Sequence, residues 1–532
     1  MLWACAVAFI GVSAWWLTQD TRAPDYDSGF HMYSAFLYHR AMAGGNVALP
    51  FISYDSYPPL VHVLGAIAIF IAGMHPMALI LSSNVVFVPL LAFACYGTGQ
   101  IIAGRRAGLL AGVFALGFPM FVSMMHLYDL DPPQAAMVAV SVWGVLASRR
   151  FEVLNLSLAA GIACGLALMT KQTSVVFLGG FLVCVIARGG WRNRGGLLIF
   201  SLAIFDVAGI WYLLHFRQLT GTLTSIGGLA PNSVQAPPLW SSRNASWYFW
   251  DLINQQALVP LAAFFLAGCA IAVVRTVRSE ATRRGFLPDL LVGALFSYIG
   301  MTLLTHKDPR YSLPALVYIA VIGTFWIPTL ARPWLRALAA TTLLAVAAAD
   351  FIGMSFGVGG IAANVTVSLP GAQSSMISPG TLTLYQDSGW VRGGPERNGD
   401  PLRLLQQLRR AGVRTIAVDP SVNEVDFSLA GLYPLAAAEG ISVLPRHGRR
   451  PADRYILLRT VRRGDPAPCQ WLRGSPTEIE QEPGIRLGVY VLEGSFAGLD
   501  ARLLRNPADP AQRYTVACPG RARVSYPPAA GA

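Results

Sequence analysis

Long apolar runs dominate the first two thirds of this 532-residue sequence, and they constrain the fold more than any other feature. Runs of about 17 to 22 residues recur between positions 2 and 352, and each is long enough to cross about 30 Å of hydrocarbon as a helix. Only 13% of the residues are charged and the mean hydropathy is +0.49. This composition is typical of a membrane protein. The sequence therefore predicts a polytopic α-helical membrane protein.

The composition changes near residue 353, where Arg, Gly, Pro and acidic residues become frequent and the long apolar runs stop. We predict a membrane domain over residues 1–352 and a soluble α/β domain over residues 353–532. In the second part, the pattern of residues 399–419 predicts a helix, ended by Gly412, and then a strand. The segments RYILLRT and GVYVLEG are predicted strands. The sequence leaves acceptor recognition, a lid and a purely stabilising role open for this domain.

The net charge of +12 does not indicate a nucleic-acid partner, because no basic helix face or recognition motif appears. Thirteen arginines of the membrane half lie in five short connections, and by the positive-inside rule these connections face the cytoplasm. The connections alternate with less basic ones that we predict to face outward. The basic ones are AGRRAG (103–108), SRRFE (148–152), ARGGWRNRGG (187–196), RTVRSEATRRG (275–285) and ARPWLR (331–336).

The segment YPPLVHVLGAIAIFIAG (57–73) decides the helix count. If it crossed, every later connection would change sides, so we interpret it as a half-inserted helix within a first external loop over residues 20–76. That gives about 11 transmembrane helices, with the N-terminus in the cytoplasm and the C-terminal domain outside. The alternative is that this segment spans and another does not. The first apolar run lacks a basic start and a cleavage motif, so we expect a retained helix or the remnant of a slightly longer N-terminus.

Charged side chains collect in the predicted external connections. The first loop contains PDYDSGFHMYSAFLYHR (24–40), in which Asp27 and Ser28 suit a helix N-cap and Phe30, Tyr33, Leu37 and Ala41 recur at helical spacing. A solvated cap on an interfacial helix would explain this stretch alone. The other external connections add further candidates, because acids come from HLYDLDPPQ (126–134) and cations from TKQT (170–173) and THKDPR (305–310). The candidate site residues in these three connections are Asp129, Asp131, Lys171, His306, Lys307 and Arg310.

The two lysines are informative because the chain has 38 arginines and only Lys171 and Lys307 as lysines. Both lie in predicted external connections. Lysine is a compact point charge and arginine a planar fork, so the two are not equivalent at a close anion contact. The choice of lysine suggests an anionic ligand, although chance placement is an open alternative.

The membrane half resembles the GT-C glycosyltransferases of the protein O-mannosyltransferase and aminoarabinose-transferase type. Four motifs occur in the order typical of that family: DS (27–28) after the first helix, YPPL (57–60), GLALMTK (165–171) and KDPRYSLP (307–314). WYLLHFRQLTG (211–221) fits a fifth motif without its proline. The resemblance covers about residues 1–350. Ser28 replaces the usual glutamate, and ILSSN (80–84) stands where the family often has an arginine.

The resemblance implies a sugar donor on a polyprenyl phosphate and a transfer on the outer face of the membrane. Phosphate is a good leaving group, so cations that stabilise it act where charge develops, and a carboxylate can take the proton of the acceptor hydroxyl. Asp27 is the candidate base of an inverting transfer, helped by Asp131. Further candidates for substrate contacts are His31, Asp129, Lys171, His306, Lys307 and Arg310. The partners are the lipid-linked sugar, membrane lipids and an acceptor glycan, lipid or protein.

No compact metal motif is present, and no cofactor is required. Asp25 and Asp27 form a DxD pattern that can hold a divalent cation through carboxylates, which leaves a metal open. The tail contains only two cysteines, Cys469 and Cys518, and in an oxidising compartment we predict a disulfide between them.

The predicted location is the inner or plasma membrane of a bacterium. A transporter or lipid flippase is the main alternative, for which Asp206 is the kind of intramembrane acid required. We expect Asp206 instead to pair with polar groups inside the bundle.

Overall fold

The computed structural model describes most of the membrane half and shorter segments of the tail. The described ranges are residues 2–19, 24–52, 57–220, 237–356, 364–372, 377, 379–386, 405–406, 409–410, 412, 414–418, 429–445, 454–462, 477–482, 485–493, 502–503, 515–516 and 524–525. Within them the chain forms two compact units. One comprises Met1–Trp16, Arg40–Leu64 and Ile80–Val391, and the other Leu17–His39, Gly65–Leu79 and Arg392–Ala532.

Helices make up nearly all of the described membrane half. In chain order they are α1 (Leu2–Gln19), α2 (Tyr26–Ala43), α3 (Leu49–Ile52), α4 (Leu60–Ala72), α5 (Pro76–Ala103), α6 (Arg105–Leu116), α7 (Pro119–Met124), α8 (Asp131–Ala147), α9 (Leu154–Thr170), α10 (Ser174–Ala187), α11 (Arg194–Ile204), α12 (Ile210–Leu214), α13 (Ser242–Ala245), α14 (Trp247–Asp251), α15 (Leu258–Arg278), α16 (Glu280–Arg284), α17 (Leu287–Leu303), α18 (Leu316–Thr324) and α19 (Pro333–Phe356). Three 3₁₀ segments (Gly190–Arg192, Pro309–Ala315, Ile327–Thr329) and two π-turns (Phe205–Gly209, Leu252–Gln256) connect or interrupt them.

Six stretches in the described part of the chain are helical, long and apolar enough to cross a membrane: Leu2–Gln19, Pro76–Ala103, Arg194–Leu214, Leu258–Arg278, Pro309–Thr329 and Pro333–Phe356. Four shorter apolar helices accompany them: Leu60–Ala72, Leu154–Thr170, Ser174–Ala187 and Leu287–Leu303. The chain is therefore a multi-pass membrane protein, as its composition predicts. The count of 11 crossings and their orientation stay predictions. The 13 residues of α4 reach only about 20 Å at 1.5 Å per residue, which agrees with a half-inserted segment.

Small residues let the helices approach closely, as is usual in membrane bundles. Gly161 in α9 faces the backbone of α11, where any Cβ would overlap the carbonyl oxygen of Phe200. Gly268 in α15 faces α18 in the same way, against the carbonyl oxygen of Ile322. A larger side chain at either position would push the two backbones apart.

Three arginine-rich connections meet at one end of this bundle. Asp289, fully buried near the start of α17, accepts from Arg150 Nη2 at 2.8 Å, and its Oδ1 forms an ion pair with Arg188, 2.8 Å from Nε. Both guanidinium groups also donate to the carbonyl oxygen of Gly285, at 3.0 and 2.9 Å. We call Arg150, Arg188 and Asp289 the arginine triad. Its two arginines lie in connections predicted to face the cytoplasm.

Helix α2 differs from its sequence-based description. Its N-cap is Asp25, whose Oδ1 accepts from the backbone N–H of Ser28 at 2.7 Å, so Asp27 lies in the first turn and is not the cap. The prediction of the cap was wrong because the two aspartates are two residues apart and either can fill that position. The residues that α2 buries inside the protein are mostly small or polar, together with one methionine and one tyrosine: Ser28, Gly29, His31, Met32, Ser34, Ala35 and Tyr38.

Asp206 is also placed differently from the expectation. It lies in the π-turn Phe205–Gly209 and its side chain is exposed on the outside of the helices. The sequence of this stretch is apolar on every side, so the face that points inward could not be deduced from it. Asp206 is not an interior acid of the kind a transporter uses.

The described tail contains one further helix, α20 (Leu429–Ala438), and ten strands. The strands are β1 (Asn364–Ser368), β2 (Thr381–Gln386), β3 (Thr415–Val418), β4 (Ser442–Pro445), β5 (Arg454–Arg462), β6 (Thr477–Glu482), β7 (Ile485–Glu493), β8 (Arg502–Leu503), β9 (Thr515–Val516) and β10 (Val524–Ser525). β1 and β2 pair antiparallel, and so do β9 and β10. The main sheet has the order β4-β3-β5-β7-β6, with β8 on β7; its β3–β4 and β3–β5 pairs are parallel and the others antiparallel.

The strands predicted in RYILLRT and GVYVLEG lie within β5 and β7. Gly412 has φ +79° just before β3, a conformation that favours glycine at the end of a helix. In the same unit, Tyr33 of α2 stacks on Tyr433 of α20 with ring centroids 4.7 Å apart. The tail helix therefore contacts the helix that carries Asp27. The limits of the two predicted domains stay a prediction.

Candidate functional site

A buried ion pair joins the N-terminus of α8 to the C-terminus of α9. Lys171, the residue that follows α9, donates to Asp131 Oδ1 at 2.7 Å, and the two side chains are only 10% and 1% exposed. Asp131 is the first residue of α8 and precedes two prolines, so its carboxylate also faces the positive end of the helix dipole. Both residues were predicted as site residues, but in separate roles. The structure brings them into direct contact.

A second acid–cation pair lies beside the first. Arg310 Nη1 donates to Asp129 Oδ2 at 2.5 Å, and Arg310 Nε lies 3.3 Å from Asp308 Oδ2. Asp308 caps the 3₁₀ segment that follows, because its Oδ1 accepts from the N–H of Arg310 at 3.0 Å. We call Asp129, Asp131, Lys171, Asp308 and Arg310 the acid–cation cluster. It assembles three predicted external connections at one place.

An aromatic side chain covers the cations of this cluster. The ring centroid of Tyr311 lies 4.8 Å from Lys171 Nζ and 5.7 Å from the guanidinium carbon of Arg310. Attraction between a cation and the face of a ring is worth about 0.5–2 kcal/mol, more where water is excluded. His306, another predicted residue, packs on Tyr311 with ring centroids 5.8 Å apart. Tyr311 therefore holds both cations in place without neutralising their charge.

Burial and charge shift the titration of the buried pair. Burial raises the pKa of Asp131 to about 6, although Lys171 opposes this and Asp129 adds to it. Burial lowers the pKa of Lys171, but Asp131 and Asp129 outweigh that effect and leave its pKa above the usual value. At neutral pH the pair is therefore ionic, with Lys171 firmly protonated. Asp131 Oδ2 is buried and has no hydrogen-bond partner among the described residues, so this carboxylate keeps one oxygen free to accept.

Lys307 differs from Lys171 in its surroundings. Its ammonium group donates to the carbonyl oxygens of Met301 and Thr302, at 2.9 and 2.8 Å, at the C-terminal end of α17. It also lies 5.1 Å from the ring centroid of Tyr248. Burial lowers the pKa of Lys307 to about 8. In this structure Lys307 caps a helix rather than joining the acid–cation cluster, and one of its three N–H donors is left for another acceptor.

A further buried acid was not predicted. Asp251 ends α14, is fully buried, and its Oδ2 accepts from Gln256 Nε2 at 2.9 Å and from Ser312 Oγ at 3.3 Å. Burial raises the pKa of Asp251 well above its usual range. The signal in the sequence was an acid directly after the aromatic run WYFW (247–250), in the long connection 217–256, which by alternation with the basic connections is predicted to face outward. That stretch matches no motif, and the contact with Ser312 spans 61 residues.

The remaining predicted residues lie in the other unit or outside the described residues. Asp27 is half-buried in the first turn of α2, and His31 is buried one turn later. Asp25 uses one carboxylate oxygen as the helix cap. Among the residues that the structure describes, no group of three or more His, Cys, Asp or Glu side chains is arranged to hold a metal ion. Cys469 and Cys518 lie outside the described residues.

Comparison with known proteins supports the resemblance carried by the motifs. Residues 56–213 match the family model of dolichyl-phosphate-mannose-protein mannosyltransferase. This segment includes YPPL, the acidic connection 126–134 and Lys171, whereas Asp27 and the KDPRYSLP motif lie beyond it. No curated protein sequence matches the chain significantly.

Two solved structures share the fold. One is ArnT from Cupriavidus metallidurans in the apo state, at 13% identity and a TM-score of 0.61, covering 91% of this chain and 97% of ArnT. The other is the same protein bound to undecaprenyl phosphate, at 14% identity and a TM-score of 0.55, with the same coverage of both chains. At such identities the likeness shows the fold. The family match covers residues 56–213, less than half of the chain, so the comparisons show that this chain has the GT-C fold seen in ArnT.

Proposed function

We propose that this protein moves a sugar from a polyprenyl-phosphate donor to an acceptor hydroxyl on the extracytoplasmic face of the membrane. The observation that carries the proposal is the acid–cation cluster: a buried lysine and a half-buried arginine, each held by a carboxylate, in a chain with the GT-C fold. Such cations suit a phosphate that gains charge as it leaves. The family model and the undecaprenyl phosphate bound by ArnT support the class of donor.

The chemistry is a single displacement. The acceptor oxygen forms a bond to the anomeric carbon, the bond from that carbon to the phosphate oxygen breaks, and its electron pair leaves with the phosphate. The proton of the acceptor hydroxyl passes to the Asp27 carboxylate. One displacement inverts the anomeric centre. Asp27 is proposed on the strength of its motif and its predicted position outside the membrane.

The cations have distinct proposed roles. Arg310 is a planar fork suited to a bidentate contact with the phosphate, and Lys171 supplies a compact charge behind it. Asp129 and Asp131 hold these cations in place, and the second oxygen of Asp131 is open to an acceptor hydroxyl. Lys307 has one donor left for the phosphate. His31 and His306 are proposed contacts of the sugar or the acceptor.

One contact of the C-terminal tail supports a proposed role of the tail near the acceptor. Its helix α20 stacks on α2 through Tyr433 and Tyr33, and α2 carries Asp27. We propose that the tail contributes to acceptor recognition or covers the reaction from the outside.

Reporter fusions after residues 150, 193, 281 and 334 are expected to lie in the cytoplasm, and fusions after 130, 308 and 400 outside. Inversion of every fusion after residue 75 would mean that the YPPL segment spans.

Reconstituted protein supplied with synthetic polyprenyl-phosphate sugars tests the reaction directly. We expect release of polyprenyl phosphate, and a loss of about 10²–10⁴-fold in Asp27→Asn, because the variant keeps the shape of the side chain but not the base. Asp206→Asn is the matched control, since it changes an exposed acid on the outside of the helices. Equal turnover of wild type and Asp27→Asn would remove Asp27 from the mechanism, and no release with any donor would refute the proposed reaction.

A further inference from the structure

Asp251 stands at the start of an unusual piece of helix. The next five residues, Leu252–Gln256, form a π-turn, a form that is rare and frequent at functional sites. In an α-helix, residues five apart point about 140° away from each other around the axis. The π-turn instead aligns residues five apart, and Gln256 Nε2 reaches Asp251 Oδ2 at 2.9 Å. Leu258, which begins α15, has φ +55°, so the strained backbone extends past the turn.

Asp251 and Gln256 form hydrogen bonds with the segment that carries Arg310. Gln256 also donates to the carbonyl oxygen of Pro309 and to Ser312 Oγ, and Ser312 Oγ donates to Asp251 at 3.3 Å. Pro309 and Ser312 flank Arg310 in the 3₁₀ segment Pro309–Ala315. All three clamping side chains are fully or partly buried. The contacts therefore fix the turn on both sides of the arginine that pairs with Asp129.

We propose that Asp251 and Gln256 form a clamp that positions the Pro309–Ser312 turn, and through it Arg310, for the transfer reaction. The predicted effect of the clamp on catalysis rests on the proposed function, whereas the contacts of the clamp do not. The hydrogen bonds of Asp251 go to Gln256 and Ser312 and not to the residues proposed to bind the substrates, so we assign it as a positioning residue.

Burial favours the neutral form of Asp251 in this clamp, and the nearby Asp308 adds to this, whereas the hydrogen bonds from Gln256 and Ser312 oppose it. Among the described residues Asp251 takes part in no ion pair. Tyr248, the other titratable group next to it, is also buried, and burial raises the pKa of its hydroxyl group well above the usual range. A neutral carboxyl group accepts from Gln256 and Ser312 as well as an amide oxygen does. Asn should therefore replace Asp251 in the clamp, whereas Ala should not.

A double-mutant cycle tests whether Asp251 acts through Arg310. We expect Asp251→Ala to lower kcat/KM about tenfold in the wild-type background but less than about twofold in Arg310→Ala, because an interaction routed through a missing partner cannot be lost twice. Asp251→Asn should stay within about twofold of wild type. Losses that multiply in the double variant, or an Asp251→Asn variant as weak as Asp251→Ala, would each overturn the proposal.

Hydrogen exchange of the peptide covering residues 305–315 reports on the clamp without any activity. Ser312→Ala removes one contact with Asp251 and should speed exchange there, whereas Ser297→Ala, a buried serine that donates only to Gly293 within α17, should not. The comparison of these two serine variants keeps the test valid if Asp251→Ala does not fold. Unchanged exchange in Ser312→Ala overturns the clamp. A wild type that exchanges as expected yet transfers no sugar refutes the proposed function instead.

Discussion

The acid–cation cluster and the arginine triad lie at opposite ends of the same helices and are built differently. α8 begins at Asp131 and ends just before Arg150, so the two sites are separated by about 25 Å of helix at 1.5 Å per residue. In the triad, two arginines and a backbone carbonyl surround one carboxylate, both of whose oxygens are used. In the cluster Lys171 pairs with Asp131 and Arg310 with Asp129 and Asp308, and one oxygen of Asp131 has no hydrogen-bond partner in the described part of the chain.

We interpret the triad as a structural site and the cluster as the proposed reactive site. A buried charge that is fully paired adds little beyond fixing a geometry, and the triad does this for three connections. A buried carboxylate oxygen with unused hydrogen-bonding capacity is costly, and we propose that a ligand completes that of Asp131. The cluster has this character.

The largest effect expected in the cluster comes from Lys171→Ala. Loss of a cation that faces developing charge costs about 10²–10³-fold in kcat, and it leaves Asp131 buried without its partner. Lys171→Ala combined with Asp131→Asn removes that unpaired charge and should restore the melting temperature but not the activity. Recovery of turnover in the double variant would show that the pair is structural, like the triad.

In the triad the expected effect is on stability. Asp289→Asn leaves two partly exposed arginines without their carboxylate and should reduce the free energy of unfolding by about 2–3 kcal/mol, less than for a fully buried pair. Turnover per folded molecule should stay at the wild-type level. Thermal unfolding in detergent together with transfer assays at low temperature measures both. A specific loss of turnover would mean that the two ends of the helices are coupled.

The pH dependence of kcat/KM should follow the cluster and Lys307. Asp131, with its pKa raised to about 6, is protonated below that pH, so activity should fall about tenfold per pH unit on the acid side. Lys307, with its pKa lowered to about 8, loses its charge above that pH, so activity should also fall on the alkaline side. A profile that is flat from pH 5 to 9 would exclude both groups from the rate.

Lys307→Arg should have the smallest effect, a decrease of about two- to fivefold at pH 7, because the arginine keeps the charge but not its compact shape. The result that distinguishes this variant is that kcat/KM should no longer fall above about pH 8, because arginine stays protonated over the whole pH range of the assay. Measurements of kcat/KM at pH 7 and pH 9 suffice. An alkaline limb that persists in this variant must arise from another group.

The sequence predicted which residues belong to the acid–cation cluster better than it predicted which of them pair with each other. Charge is rare in so apolar a chain, so Asp129, Asp131, Lys171 and Arg310 stood out, and motif order placed them on one side. Their pairing did not follow, because Arg310 and Asp129 are 181 residues apart.

The clamp and the triad were missed for a related reason. No sequence rule foresees a π-turn after Asp251, and Asp289 lies more than 100 residues from both of its arginines. At α2, either of two aspartates could have filled one cap position, and the residues that the helix buries are mostly small or polar. Local sequence patterns determine where a helix forms, whereas contacts with the other helices of the bundle determine which of its sides is buried.

The scarcity of lysine has a practical consequence for labelling this protein. The chain offers only two side-chain amines, and their chemical reactivities should differ strongly at neutral pH. Lys171 is held as a protonated, buried ion pair and is a poor nucleophile, whereas Lys307, half-buried and with its pKa lowered to about 8, is partly a free amine. A small acylating reagent should therefore mark Lys307 ahead of Lys171, and a tagged peptide containing Lys307 provides a direct footprint of whatever covers the C-terminal end of α17.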